Sequence, residues 1–522
     1  MLRSILKASR KWAPFFIFGL AFFVRVYRLD LVPLNHDEAN WIIPCVDNFD
    51  RFFGVPVSGF GGNIRPFLSW FVGLSKIFFS SPEYIVRVPA AIIGTATVML
   101  LYYLAKEMYG KGCGIVSALL LVFLPWHIIQ SRDGREMVTT TFFSCLITLS
   151  LIKALKKQNN AWFIAFWLFL GLGSFYTYAL SILFLPIFFI MLLFLRKELS
   201  WIRPGVYLLG VIIILAQLYP LVYLYFIGHL PALLEKVCYY VGGNQAILID
   251  GPNRYLGLII ENFRNNAPLA VKSLFFTSGG RLLYAASLGP ALLITPLSLV
   301  LVLFSLGICF YRRKIADVIL LVWFIVGSLG CIFGVRFFEA RHYIIILIPL
   351  LIMISMFIVR FFAIRSTSYF GRNLFIAIGV IFIMIVVVLE VSQTLRYYTV
   401  APTNIEECRR NSYGGKEAAL YLLNVVGIED SQILSDVRMS LCTYLKYFSD
   451  NRITCKQDYS SFKQRKYFVI WAPESHLRDY WGGLFSGLYS YFKQRYPDVR
   501  PVKTIYYPNG LAAIHIFKVE DR

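Results

Sequence analysis

Apolar stretches long enough to cross a bilayer recur along this chain, and Lys and Arg gather in every second gap between them, a pattern that no soluble fold can bury. A membrane-crossing helix needs about 17 to 25 apolar residues. Such runs fall near 11–28, 84–105, 113–130, 137–155, 160–176, 178–195, 205–227, 288–311, 316–335, 342–360 and 373–395. The expected fold is mainly α, a polytopic membrane helical bundle of about eleven spans. Composition agrees, since 58% hydrophobic and 15% charged residues exceed the apolar content of a soluble domain. The 51 Lys and Arg against 29 Asp and Glu lie in short clusters and form no single basic tract. Membrane topology accounts for that excess, and no nucleic-acid partner is implied.

Arg3, Lys7, Arg10 and Lys11 precede the first apolar run, and Arg25, Tyr27 and Arg28 follow it where a signal peptide would carry a small-residue cleavage site. The first helix is therefore expected to be uncleaved and to start in the cytoplasm. The inside loops then hold Lys106 and Lys111; Lys153, Lys156 and Lys157; Arg196, Lys197 and Arg203; Arg312, Arg313 and Lys314; and Arg360, Arg365 and Arg372. Each is basic, as the positive-inside rule asks of a multi-pass plasma-membrane protein. This topology puts the loop 29–83, the turn Ser131–Glu136, the segment Gly228–Ser287 and the tail after Leu395 outside. Residues 65–80 are too short and interrupted for a span and read as an amphipathic helix along the interface.

The membrane domain is expected to cover 1–398. From 399 to 522 apolar runs shorten, and an extracytoplasmic α/β domain is expected, with GGKEAALYLLNVVG as helix and SQILSD, KYFVIWA and AAIHIFKV as strands. Cys113, Cys145, Cys309 and Cys331 sit in apolar helices as small hydrophobes; Cys408, Cys442 and Cys455 fall outside, where one disulfide among them stays open. No Cys-x-x-Cys pair, metal-spaced His and Cys set or Gly-rich nucleotide loop occurs. No metal site and no cofactor are implied, though a divalent cation stays open.

Two clusters carry chemistry. Asp37 and Glu38 follow the first apolar run by roughly ten residues, at the water boundary, where a carboxylate can take a proton from an incoming hydroxyl. Arg132, Asp133, Arg135 and Glu136 end the third span, and two Arg with two acids exceed what anchoring needs. The guanidinium fork suits phosphate oxygens.

FFVRVYRLDLVPLNHDEA at 22–39, IRPFLSWFVGLSKIFF, and YIVRVPAAIIGTATVMLLYYLAKEMYGKGCGIVSALLLVFLPWHIIQSRDGREM resemble the GT-C membrane glycosyltransferases. The likeness is to protein O-mannosyltransferases, aminoarabinose transferases of lipid A and rhizobial lipopolysaccharide galacturonosyltransferases. It is strong over the first third of the chain and extends to the rest only in layout. It implies a GT-C bundle whose first external loop carries the catalytic acids, Asp37 as general base with Glu38 orienting the acceptor or sharing the role. Arg132 and Arg135 match the family's Ser-Arg-x-x-Arg pattern and, with Arg65, are implied at the donor phosphate. Where those relatives place an Asp five residues after the first Arg, this chain has Met137, with Glu136 one position earlier. Arg341, His342 and Tyr343 resemble the family's Arg-x-Tyr entry to a late helix, and with Asp133 and Glu136 they form a secondary set. The resemblance implies inverting transfer of a sugar from a polyprenyl-phosphate donor to a hydroxyl-bearing protein, lipid or glycan acceptor on the outer face. A lipid-linked sugar or polysaccharide transporter and a non-catalytic membrane scaffold are the alternatives. An acid pair on an external loop, in place of midplane charge in broken helices, favours the enzyme.

Overall fold

The computed structural model describes residues 2–31, 66–219, 296–333, 340–363, 414–426, 433–435, 467–472, 486–508 and 510–519, with isolated residues such as Leu34, Glu38 and Tyr444 between them. Asp37, Arg65, Cys408, Cys442 and Cys455, most of 228–287, most of the expected last span and the side chain of Arg341 lie outside the described residues. Two compact units divide the chain. The first comprises Met1–Tyr27, Arg51–Phe71 and Val88–Leu395, the second Arg28–Asp50, Val72–Arg87 and Arg396–Arg522.

The helical elements are α1 Leu2–Val26, α2 Pro66–Ser75, α3 Pro82–Tyr109, α4 Lys111–Phe123, α5 Pro125–Arg132, α6 Met137–Lys157 and α7 Asn160–Phe175. They continue with α8 Phe184–Phe194, α9 Pro204–Ala216, α10 Pro296–Arg312, α11 Ile315–Phe333 and α12 Leu347–Ala363. Short 3₁₀ turns, Ala179–Leu183 and Ala340–Ile345, precede α8 and α12. Among the described residues three helices, α3, α6 and α11, are long and apolar enough to cross a membrane. The other apolar helices are shorter, so the expected count of about eleven full spans exceeds what these lengths show. The ten residues of α2 rise about 15 Å, half of what hydrocarbon demands.

The expected third span is broken. Pro125 has no N–H to donate and disfavours a helical residue before it. Leu124 accordingly takes φ −67° and ψ 108°, ending α4, while Pro125 opens α5, where a missing N–H costs nothing. The two helices bend by 63°, and all eight residues of α5 are buried.

In the first unit Ile17, Ala21 and Arg25, spaced by four, form the buried stripe of α1, while Phe15, Phe16 and Phe23 are exposed. An aromatic outer face of this kind suits hydrocarbon and not water. Between helices already in lipid the hydrophobic effect adds little, so close approach and polar bonds decide the packing. Thr140 meets the Ser181 hydroxyl at 2.9 Å, and Trp323 donates to the Ile345 carbonyl at 2.9 Å. Gly94 of α3 sets the closest approach to α5, since a Cβ there would stand 2.2 Å from Ser131 Oγ and 3.3 Å from Arg25 Nε.

The second unit holds a four-stranded sheet in the order β1-β2-β4-β3, from β1 Ile433–Ser435, β2 Tyr467–Trp471, β3 Lys503–Tyr506 and β4 Ala512–Lys518. β1 and β2 are parallel, and β4 pairs antiparallel with both β2 and β3. The three runs expected as strands are strands; β3, a four-residue segment whose burial alternates poorly, is additional. Helix α13 Gly415–Tyr421, continued by a π-helical turn Leu422–Val426, and helix α14 Ser486–Arg495 accompany the sheet. Phe468, Ile470, Phe492 and Phe517 form its apolar core, each large side chain worth about 1.5–3 kcal/mol if taken from water. Gly414 enters α13 at φ 85°, where a Cβ would press Ile505 at 2.9 Å.

Gly94→Ala is expected to destabilise the protein by about 1–3 kcal/mol through overpacking, read as a lowered thermal midpoint in detergent. Ser131→Gly in that background is expected to recover part of the loss. An unchanged midpoint in the single variant would show that α3 and α5 are not held at this distance by Gly94.

Candidate functional site

Each unit contains its own buried polar cluster, built on residues that an apolar helix tolerates only with partners. In the first unit Arg25 is fully buried. It donates to the carbonyls of Ala21 at 3.1 Å and Leu121 at 3.0 Å, and to His127 Nδ1 at 3.0 Å. Because a guanidinium only donates, Nδ1 of His127 is the acceptor and its proton sits on Nε2, 3.3 Å from Thr141 Oγ1. Ser131 donates to the His127 carbonyl one turn earlier at 2.6 Å.

Arg132 Nη1 reaches the carbonyls of Arg25 at 3.1 Å and Tyr27 at 2.5 Å, satisfying acceptors that the end of α1 cannot satisfy itself. Arg135 pairs with Asp133 at 2.5 Å. Arg132, Asp133, Arg135 and Glu136 are all buried. The turn between α5 and α6 and the end of α1 thus hold three guanidinium groups, of Arg25, Arg132 and Arg135, against the carboxyls of Asp133 and Glu136. His342 and Tyr343 are buried in the 3₁₀ turn before α12, where the His342 carbonyl accepts from Cys331 Sγ at 3.3 Å.

In the second unit Glu38 is fully buried and held by both ends of a guanidinium fork. Arg87 Nε meets Oε1 and Nη2 meets Oε2, each at 2.7 Å, while Nη1 donates to the Leu29 carbonyl at 2.6 Å. Glu83, one turn before Arg87 on the same helical face, accepts from Lys416 Nζ at 2.8 and 2.9 Å, Ser81 at 2.6 Å and Tyr444 Oη at 2.9 Å. Tyr444 in turn accepts from the Leu34 N–H at 3.3 Å. Burial, then the Glu83 carboxylate, pushes the Tyr444 phenol well above its ordinary range, so it stays protonated and donating. The segment bearing the acid pair is consequently gripped at Leu34 and at Glu38 by partners of the first turns of α3.

Sequence reading missed Arg25, Arg87, Glu83 and His127 as members of these clusters. The signal was present: ionisable residues inside runs otherwise fit for hydrocarbon. Lys416 and Tyr444 carried no such signal, because nothing local distinguishes them from ordinary surface and core residues. Among the described residues no three His, Cys, Asp or Glu side chains gather as metal ligands.

The profile of the Dolichyl-phosphate-mannose-protein mannosyltransferase family matches residues 64–224. A stretch of 100 residues is 27% identical to the mannosyltransferase-named YkcB of Bacillus subtilis, covering 19% of this chain and 14% of that protein. Another of 144 residues is 26% identical to the oligosaccharyltransferase subunit STT3B of Arabidopsis thaliana, covering 26% of this chain and 20% of that one. These matches thus span a small part of the relatives' own lengths. In fold the likeness runs nearly end to end. ArnT from Cupriavidus metallidurans bound to undecaprenyl phosphate superposes with TM-score 0.60 at 12% identity, over 96% of this chain and 97% of that one. The archaeal oligosaccharyltransferase AglB from Archaeoglobus fulgidus, in complex with an inhibitory peptide and a dolichol-phosphate, gives 0.54 at 13% identity over 89% and 69%. The chain is an integral membrane protein with the GT-C fold. Within that class, its resemblance is to the mannosyltransferase-type glycosyltransferases.

The Glu38–Arg87 pair is open to a direct test. Removing one partner of a buried pair costs about 3–5 kcal/mol, whereas replacing both with apolar residues costs far less. Arg87→Met is therefore expected to lower the thermal midpoint more than the Arg87→Met, Glu38→Leu double variant. A double variant as unstable as the sum of its two singles would show that the pair is not coupled.

Proposed function

We propose that this protein is a membrane glycosyltransferase that moves a sugar from a polyprenyl-phosphate donor to a hydroxyl on a protein, lipid or glycan acceptor, with inversion at the anomeric carbon. One observation carries the reading: a chain that superposes on a lipid-phosphate-bound GT-C protein over nearly its whole length buries three guanidinium groups, of Arg25 at the end of α1 and of Arg132 and Arg135 at the α5–α6 turn, against the two carboxyls of Asp133 and Glu136, and that turn lies inside the segment matched by the mannosyltransferase family. In this reading the acceptor oxygen attacks the anomeric carbon while Asp37 takes its proton. The bond from that carbon to the phosphate oxygen breaks, and its electron pair leaves on the phosphate.

The charge that grows on the phosphate is stabilised by the Arg132 and Arg135 cluster, with Arg65 as a further candidate. Arg132 acts with one nitrogen committed to the end of α1, so it positions the cluster as well as charging it. Glu38 has both oxygens in the Arg87 fork, which suits it to holding the acid-pair loop and leaves the proton to Asp37. Asp133, Glu136, Arg341, His342 and Tyr343 keep their secondary standing. The proposed orientation has the N-terminus inside and the acid-pair loop and residues 399–522 outside.

Asp37→Asn keeps size but cannot take a proton, and loss of a general base costs about a hundredfold to ten-thousandfold in rate. Single-turnover sugar transfer by the purified protein in proteoliposomes is expected to collapse in Asp37→Asn while donor binding persists. Transfer near the wild-type rate would overturn the assignment, and failure of the wild type to consume any polyprenyl-phosphate sugar would overturn the transferase reading.

Orientation has its own test. Cysteines introduced at Ser58 and Ser475, in a background lacking accessible native cysteines, are both expected to react with an impermeant reagent applied to the outer face. Labelling of one without the other would refute the shared compartment.

A further inference from the structure

We infer that the first unit holds one anionic phospholipid in a groove between α10 and α12, lined by no residue of the α5–α6 turn. The groove is open to the outside, offers about 750 Å³ and runs along the α10 face of Val300, Leu303, Phe304, Gly307 and Ile308, which continues in sequence to Tyr311 and Arg312 and is joined by Arg360 of α12. From Val300 to Tyr311 a helix rises about 16 Å at 1.5 Å per residue. That is close to half of the roughly 30 Å hydrocarbon core, the depth of a single leaflet. An apolar wall of leaflet length ending in two guanidinium groups has the shape and polarity of a phospholipid lying with its acyl chain along the wall and its phosphate at the arginines.

The charges at that end ask for an anion. Asp317, fully buried, faces Arg312 Nε at 3.5 Å. It is already occupied by the Tyr109 hydroxyl at 2.7 Å, the Lys314 N–H at 3.1 Å and Cys309 Sγ at 3.8 Å. Arg312 Nη1 is buried and has no hydrogen-bond partner among the described residues, a condition a native structure rarely leaves unanswered. Arg360 adds a second guanidinium to the groove, and planar forks of this kind suit the oxygens of a phosphate diester. Tyr311, 91% exposed beside them, has the amphipathic ring favoured at headgroup level. A free phosphate would meet the same guanidinium groups but leave the long apolar wall unused, which is why the lipid is the occupant.

The inference rests on the bundle lying in a membrane and on no step of the transfer reaction, so its test reads binding. Native mass spectrometry of the full-length protein in detergent, titrated with phosphatidylglycerol and with phosphatidylcholine of the same chains, supplies it. Phosphatidylglycerol is expected to bind about tenfold more tightly, a difference of about 1.4 kcal/mol. Arg360→Gln is expected to remove that preference with phosphatidylcholine binding unchanged. Arg312→Gln is a weaker probe because it strips Asp317 of its cation. A Cβ at Gly307, which lines the groove, meets nothing within 4 Å, so Gly307→Phe starts a bulky side chain from open space and is expected to abolish binding of both lipids at this site. Equal affinity for the two lipids in the wild type, undiminished binding in Gly307→Phe, or displacement of phosphatidylglycerol by millimolar inorganic phosphate would overturn the proposal.

Discussion

A charge taken out of water must be met by partners, and in this protein that demand organises each unit from within. Desolvating an ion costs several kcal/mol even after relaxation, and only good geometry with every remaining donor engaged offsets it. The fork of Arg87 on Glu38 with its third bond to Leu29 is such a geometry. Arg25 is held in a related way, its two terminal nitrogens bonded to two carbonyls and an imidazole nitrogen. Remove these pairings and the helices that carry the charges lose the reason to meet where they do.

The polar turn after α5 follows from a single covalent fact. Pro125 ends one helix and starts another at 63°, so the segment QSRDGREM enters a buried turn and does not run straight on toward solvent. Irregular backbone survives at membrane depth only where protein or a watered cavity covers it, and here all of α5 and the Arg132–Glu136 turn are covered. A continuous span would have carried the same arginines straight on to the interface.

In the proposed reaction the two neighbouring acids are told apart by what binds Glu38. Two carboxylates adjacent in sequence have equal claims as base until one of them is bound by a fork that uses both of its oxygens. Glu38 is so bound, and holding the loop is the work left to it. The three guanidinium groups that the end of α1 and the α5–α6 turn set against two carboxyls give the other half of the proposed reaction its electrostatic ground.

Hydropathy, the positive-inside pattern and the period of the apolar residues are local properties, and from them the sequence by itself determined a helical membrane bundle, the positions of its helices and a late α/β segment with three of its four described strands. It also singled out Glu38, Arg132 and Arg135, which the structure buries in its polar clusters, because charge beside hydrocarbon is conspicuous in one dimension. Partnership is not a local property. That Arg87 closes on Glu38, that Lys416 and Tyr444 reach Glu83 across more than three hundred residues of chain, and that Arg132 caps the end of α1 depend on which helix ends the fold brings together. Even the break at Leu124, written in the sequence as a proline, needed the tertiary structure to show that its consequence is a buried turn, since a proline kink and a true change of direction differ only in what packs against them.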